Sequence, residues 1–431
     1  MFSKSGMKNS LTRSNFQQYR YYIGSIIYLL IAFFLVFNHD QFLQDDAYTY
    51  WLRANRNPTG FYPAGIDLYY SNLMHPFIIN LMRLLMHFGM GVGTMQCLNV
   101  VMTLTLIHLF RKLVATVFDE KIAWITFCLS LLYPNFYIWN LGLNTEIFFL
   151  IFLVTSLRVF YSQNKYKYWI LGALMPILDY TRPFAMLFIA AWMMVECWRW
   201  FSKQLLFKQL LVRVAQFAAG YVLLFLVIGG IYQWKNQQFF TKSKVIGYNL
   251  IIAANDHHYI TWTVEPFLKG NVAYIENEDS LTYDVKDKIW LKRGLQWIPS
   301  HIVPYSISYF KRLAYMYTND LNYFMFSYRH YHWGSMVMDY RSGKGIFDLI
   351  LKYPWLWFTI VVFWVITFLE IRGLVQNGVK ESQRILLIVA LFLILIPPFF
   401  TVQTRYHIPT LLLLLPWASM FIQRKLDKIN P

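Results

Sequence analysis

The chain has 431 residues, 57% of them hydrophobic and only 14% charged, with a formal net charge of +17. Soluble domains carry about a quarter charged residues, so this composition excludes an ordinary soluble globular fold. The positive balance sorts with membrane topology, as set out below, and is not read as a nucleic-acid footprint.

Apolar runs recur along the whole chain at lengths suited to a hydrocarbon core of roughly 30 Å. Ten spans are expected, near residues 19–38, 94–114, 121–139, 145–161, 168–181, 183–200, 211–233, 353–371, 384–402 and 406–423. The 168–200 region also fits a bent pair. Backbone groups in lipid have no water to satisfy them, so each span is expected to be helical. The fold class is therefore an all-α polytopic membrane protein.

The basic N-terminus and the uncharged run 21–37 could pass for a signal peptide. Asn38-His39-Asp40-Gln41-Phe42 follows it without a small-residue cleavage site, so an uncleaved anchor is expected. Next come two adjacent carboxylates, Asp45 and Asp46, followed by Ala47 and Tyr48. They lie in a first outer loop, 39–93, where Pro76 to Met86 has the apolar spacing of an interfacial helix. Three segments follow from the pattern: a transmembrane module 1–233, an extracytoplasmic region 234–352 and C-terminal helices 353–431. Within the middle segment, 284–317 reads as amphipathic helices interrupted by Pro299 and Pro304.

With residues 1–18 cytoplasmic, the inner segments hold 20 of the 39 Lys and Arg and 6 of the 22 acids. The inner balance is then +14 and the outer +3, which together give the +17 of the chain. Short inner loops make this asymmetry a topology signal, and attraction to anionic lipid is a sufficient use for it. Cys97, Cys128 and Cys197 all fall within expected spans, neither placed as a disulfide framework nor spaced as metal ligands.

Ionisable residues at membrane depth are costly and count as functional candidates. Glu146 opens the fourth span, Asp179 and Arg182 sit at the turn after the fifth, and Arg405 opens the last. In the expected topology all four lie on the outer side, with Asp45 and Asp46. Plainer roles compete. The arginines could snorkel to headgroups, Asp179 could neutralise Arg182, Glu146 could face a helix dipole, and either aspartate could cap a helix over 47–54. His75 and the pair His257-His258 read first as polar loop residues, and His108 as structural.

Taken together, Asp45-Asp46-Ala47-Tyr48, His75-Pro76-Phe77-Ile78 with Gly89 and Asn99, and Pro134 with Asn144-Thr145-Glu146 form an ordered set. Leu178-Asp179-Tyr180-Thr181-Arg182-Pro183, the segment 241–257 and Arg405-Tyr406-His407-Ile408-Pro409 complete it. The set resembles the GT-C superfamily of membrane glycosyltransferases that use polyprenyl-phosphate sugars, such as bacterial aminoarabinose transferases and protein O-mannosyltransferases. Two departures stand out: Asp-Asp where Asp-Glu is frequent, and Ala253-Ala254-Asn255-Asp256 where glycine is usual.

The resemblance implies an inverting transfer from a polyprenyl-phosphate sugar to an acceptor hydroxyl on a glycan, lipid or protein. It favours Asp45, with Asp46, as the catalytic acids, and metal independence. No cofactor is expected, since the lipid-linked sugar is a substrate. Arg182, Arg405 and Arg83 are the candidates for the donor phosphate, because the guanidinium fork matches phosphate oxygens. Glu146, Asp179, His75 and Tyr48 are supporting or acceptor-side candidates. A divalent ion would make competing use of Asp45 and Asp46. A flippase for lipid-linked glycans, or an oligosaccharide ligase or polymerase, is the alternative reading. A transporter would spread its polar residues through the bilayer depth, whereas here they gather at one face.

Overall fold

A computed structural model describes residues 4–38, 45–56, 60–69, 75–143, 145–257, 259–318 and 355–429. The sequence expectations for 319–352, Asn144 and His258 lie outside the described residues. Those that are described form helices and turns without a β-strand.

The chain opens with α1 (Lys4–Asn38), α2 (Asp45–Arg56) and α3 (Pro76–His87). There follow α4 (Val92–Val117), α5 (Glu120–Leu132), the single turn α6 (Asn135–Ile138), α7 (Glu146–Tyr161), α8 (Lys167–Thr181), α9 (Ala185–Phe201) and α10 (Phe207–Asn236). Next are α11 (Ile246–Ala253), α12 (Tyr283–Trp297) and α13 (Ile302–Thr318). The last three are α14 (Trp355–Asn377), α15 (Arg384–Leu395) and α16 (Ile408–Ile429).

Among the described residues five stretches are long and apolar enough to cross a membrane: Tyr19–Asn38, Val92–Val117, Phe207–Asn236, Phe358–Asn377 and Glu381–Phe399. Leu30, Phe34, Leu223 and Phe368 on these helices remain exposed. Such outward apolar faces, set around a core that includes Tyr28, Phe110, Trp139, Trp192 and Trp417, fit a helical membrane protein.

Not every expected span is one continuous helix. The expected span 121–139 is broken: α5 stops after 13 residues at Leu132, and α6 is one turn. Pro134 explains the break, since the residue before a proline is driven to extended backbone, and Tyr133 has φ −81° and ψ 114°. The 168–200 region forms two helices, α8 and α9, of 15 and 17 residues. Pro183 has the same effect there: Arg182 leaves the helix at φ −149°, ψ 140°.

Where α8 crosses α10, glycines replace side chains. A Cβ on Gly172 would lie 1.9 Å from the Phe217 carbonyl oxygen, and one on Gly220 would lie 2.1 Å from that of Trp169. Helices in lipid gain little from hydrophobic association, and small residues let backbones approach closely.

The helices of the two long connecting segments are tied to the bundle. Asn80 on α3 places Nδ2 2.8 Å from each of the Tyr62 carbonyl, Tyr180 Oη and Tyr232 Oη, which share its two N–H groups, and accepts from the Tyr62 amide at 2.7 Å. One amide thus joins the first loop to α8 and α10. Farther on, Arg312 of α13 donates through Nε to the Pro398 carbonyl at 2.7 Å, fixing the turn that follows α15. Pro299 lies in a 3-10 turn between α12 and α13, as an interruption should. Pro304 interrupts nothing, because it falls in the first turn of α13, where a missing N–H is harmless.

Candidate functional site

Four elements distant in sequence converge at one end of the bundle. Asp46 comes from the first turn of α2, and Glu146 is the first residue of α7. Arg182 is the extended residue that caps α8, and Arg405 lies in the 3-10 turn Thr404–His407 that leads into α16.

Glu146 is the hub. Its Oε1 accepts from Arg182 Nη2 at 2.5 Å and lies 3.2 Å from Arg405 Nε. Arg182 Nε donates to Thr145 Oγ1 at 2.8 Å, and its guanidinium lies 5.6 Å from the Tyr406 ring centroid. Arg405 Nη2 donates in turn to Asp46 Oδ2. Glu146 is 1% exposed, Arg182 5% and Arg405 8%, so these three are almost entirely out of water, while the Asp46 side chain keeps 26% of its surface open. Glu146 Oε2 has no hydrogen-bond partner among the described residues. Two carboxylates and two guanidiniums cancel in formal charge, and the helix start adds its positive end beneath Glu146.

His75 borders the cluster in a left-handed conformation, φ 49° and ψ 56°. That region is uncommon for a residue other than glycine, and a following proline disfavours helical backbone further. Its amide donates to Ser243 Oγ at 2.9 Å, and Nδ1 lies 3.0 Å from the Thr181 carbonyl. A carbonyl only accepts, so Nδ1 carries the proton of the neutral ring. Burial pushes the imidazole pKa down to about 4, and the Arg182 charge reinforces the shift. At neutral pH the ring is uncharged. For Asp46 burial acts upward, but the Arg405 guanidinium outweighs it and holds the carboxyl below its ordinary range.

Other expected site residues fall elsewhere. Asp45 opens α2, directly before Asp46. Asp179 Oδ1 accepts from the Ala185 amide at 3.1 Å and so caps α9; the carboxylate opposite Arg182 is Glu146 instead. Arg83, 2% exposed, donates to the carbonyls of Gly60 and Arg53 at 2.9 Å and pairs with Asp67 at 3.5 Å, which employs it in bracing the first loop. Tyr48 faces outward from α2, 47% exposed. His108 accepts or donates at Ser25 Oγ, 2.8 Å away, linking α4 to α1. Cys97, Cys128 and Cys197 are free thiols. Among the described residues no three His, Cys, Asp or Glu side chains gather as a metal site.

Thr145, Tyr406 and Ser243 take parts that the sequence did not disclose. Two further buried acids belong to the six that the expected topology assigns to the inner side. Glu196 on α9, 0% exposed, pairs with Arg199 at 3.2 Å and Arg213 at 2.6 Å. Glu370 on α14 is 3% exposed, and its Oε1 has no hydrogen-bond partner among the described residues. It lies about 22 Å along the helix from Trp355 at 1.5 Å per residue. The one-sided distribution expected of the buried charges is therefore incomplete.

No family model matches the chain, and no curated protein sequence matches it at a significant level.

Proposed function

We propose that this chain is an inverting glycosyltransferase of the GT-C type. On this reading ten helices cross the cytoplasmic membrane with the basic loops inside, and the Glu146 cluster faces outward. The substrates are a polyprenyl-phosphate sugar and an acceptor hydroxyl on a glycan, lipid or protein.

The observation that carries the reading is the delivery of Arg182 and Arg405, from separate elements, to one buried carboxylate. Two fixed guanidiniums in a site shielded from water suit a phosphate that gains charge as it leaves. Asp46 is engaged by Arg405, so Asp46 sets that arginine and Asp45 takes the proton. In the step, Asp45 accepts the acceptor's hydroxyl proton while the oxygen attacks the anomeric carbon. The bond from that carbon to the phosphate oxygen breaks, its electrons stay on polyprenyl phosphate, and the configuration inverts. A phosphate monoester has its last pKa at about 6, so the leaving group needs no acid.

The test is single-turnover transfer from a panel of synthetic polyprenyl-phosphate sugars, with donor binding measured alongside. Asp45→Asn keeps the shape of the side chain but cannot accept a proton, and should slow transfer by about 10²–10⁴-fold while donor still binds. If Asp45→Asn and Asp46→Asn both transfer at the wild-type rate, the catalytic role of this pair is wrong. Lipid translocation without any new glycosidic bond would instead make the chain a flippase.

A further inference from the structure

At the opposite end of the bundle from Glu146, a cavity of about 270 Å³ opens between the end of α9 and the start of α15. Its walls are of two kinds. Met194, Val195 and Ile388 supply an apolar floor, and Arg199, Arg384 and Glu381 a charged rim. Trp198 also lines it and is 55% exposed, the placement of an aromatic at headgroup depth.

The rim is unevenly satisfied. Arg199 is tied to Glu196 at 3.2 Å, a carboxylate it shares with Arg213. Glu381 accepts from Gln204 at 3.4 Å. Arg384 lies with its guanidinium 5.0 Å from the Trp198 ring centroid, and its buried Nη1 has no hydrogen-bond partner among the described residues. A buried guanidinium nitrogen without an acceptor is costly. Counting Arg199, Arg213 and Arg384 against Glu196 and Glu381 leaves the rim at +1.

We propose that this cavity binds an anionic phospholipid of the leaflet at this end of the bundle. The phosphate meets Arg384 and Arg199, and the first carbons of one acyl chain lie along Met194, Val195 and Ile388. Basic pockets between helices at a membrane surface recognise lipid headgroups in this way. A free phosphate would use the arginines but leave the apolar floor without a partner. This inference is independent of the transferase reading, since it concerns the other end of the molecule.

Native mass spectrometry of the purified full chain in detergent decides it, with titration by phosphatidylglycerol or phosphatidylcholine of identical chains. Phosphatidylglycerol should be retained at least about tenfold more tightly, because phosphatidylcholine brings the same phosphate with a choline cation that the net-positive rim repels. Arg384→Gln should abolish that preference, and Arg384→Lys should keep part of it. Ile388→Trp fills the floor without changing charge and should weaken retention of phosphatidylglycerol even if Arg384→Gln fails to fold. Equal retention of the two lipids by the wild type, or a preference that survives both Arg384→Gln and Ile388→Trp, overturns the proposal. Displacement of bound phosphatidylglycerol by an equal concentration of inorganic phosphate would overturn the lipid as the occupant.

Discussion

Glu146 and Glu196 are each shared by two arginines, and each is almost wholly buried, with side chains 1% and 0% exposed. Their partners differ. The side chains of Arg182 and Arg405 are 6% and 9% exposed, whereas those of Arg199 and Arg213 are 28% and 27% exposed. A guanidinium with one edge in water or among headgroups keeps its hydration there, and its carboxylate merely pins a helix end. A guanidinium withdrawn from water depends on the charge beside it, and can exchange that charge for an incoming anion. The origin of the groups differs as well. Glu196 and Arg199 are one turn apart on α9, while the Glu146 cluster joins α2, α7, the end of α8 and the turn before α16. Only the second arrangement requires the whole bundle to be folded.

The contrast breaks most directly at the glutamates. Glu146→Gln leaves two buried cations short of a counter-charge and should cost about 3–5 kcal/mol of stability. Glu196→Gln should cost about 1 kcal/mol, because its arginines can rehydrate. Thermal unfolding of the purified variants in detergent measures both, and equal losses would erase the distinction drawn between the two ends.

A smaller effect sharpens the functional side. Arg182→Ala and Arg405→Ala should each weaken transition-state stabilisation by about 1.5–3 kcal/mol, read as a fall in kcat/KM for the lipid-phosphate donor. Arg213→Ala should leave transfer unchanged. Wild-type rates in the Arg182 and Arg405 variants would reduce both arginines to structural ties.

A separate effect is on pH. The His75 pKa in the folded chain, about 4, lies below its ordinary value, so the unfolded chain binds the proton first. Stability is then full above pH 6.5 or so and falls as the pH drops towards about 4, with a slope of up to about 1.4 kcal/mol per unit. Melting temperature against pH, compared with His75→Asn, isolates this contribution. A profile unchanged by the substitution would show that His75 is not the group responsible.

Much of the local structure was legible in the sequence. α3 could be read from Pro76 at a helix start and the apolar spacing behind it, and the exit of Arg182 from α8 from the proline that follows. Glu146 was conspicuous as an acid at the head of an apolar run. The pairings were not legible. Arg405 meets Asp46 across 359 positions, and His75 meets Ser243 across 168. Neither contact leaves a periodic trace, because each depends on how separate helices are laid side by side. Asp179 misled for a related reason: its role as a cap depends on the tight turn that brings Ala185 back over it. Pro134 was read as part of a motif, and its power to shorten α5 went unused.

The crossing of α8 and α10 bears on the cluster in another way. At Gly172 and Gly220 each backbone rests on a carbonyl of the other, with no side chain between them to act as a bearing. Neither helix can roll about its own axis without driving backbone into backbone. Arg182 sits at the end of α8, so the direction in which it leaves the helix is set by a crossing some ten residues, about 15 Å, away. Two absent methyl groups in the middle of the bundle thus aim a charge at its edge.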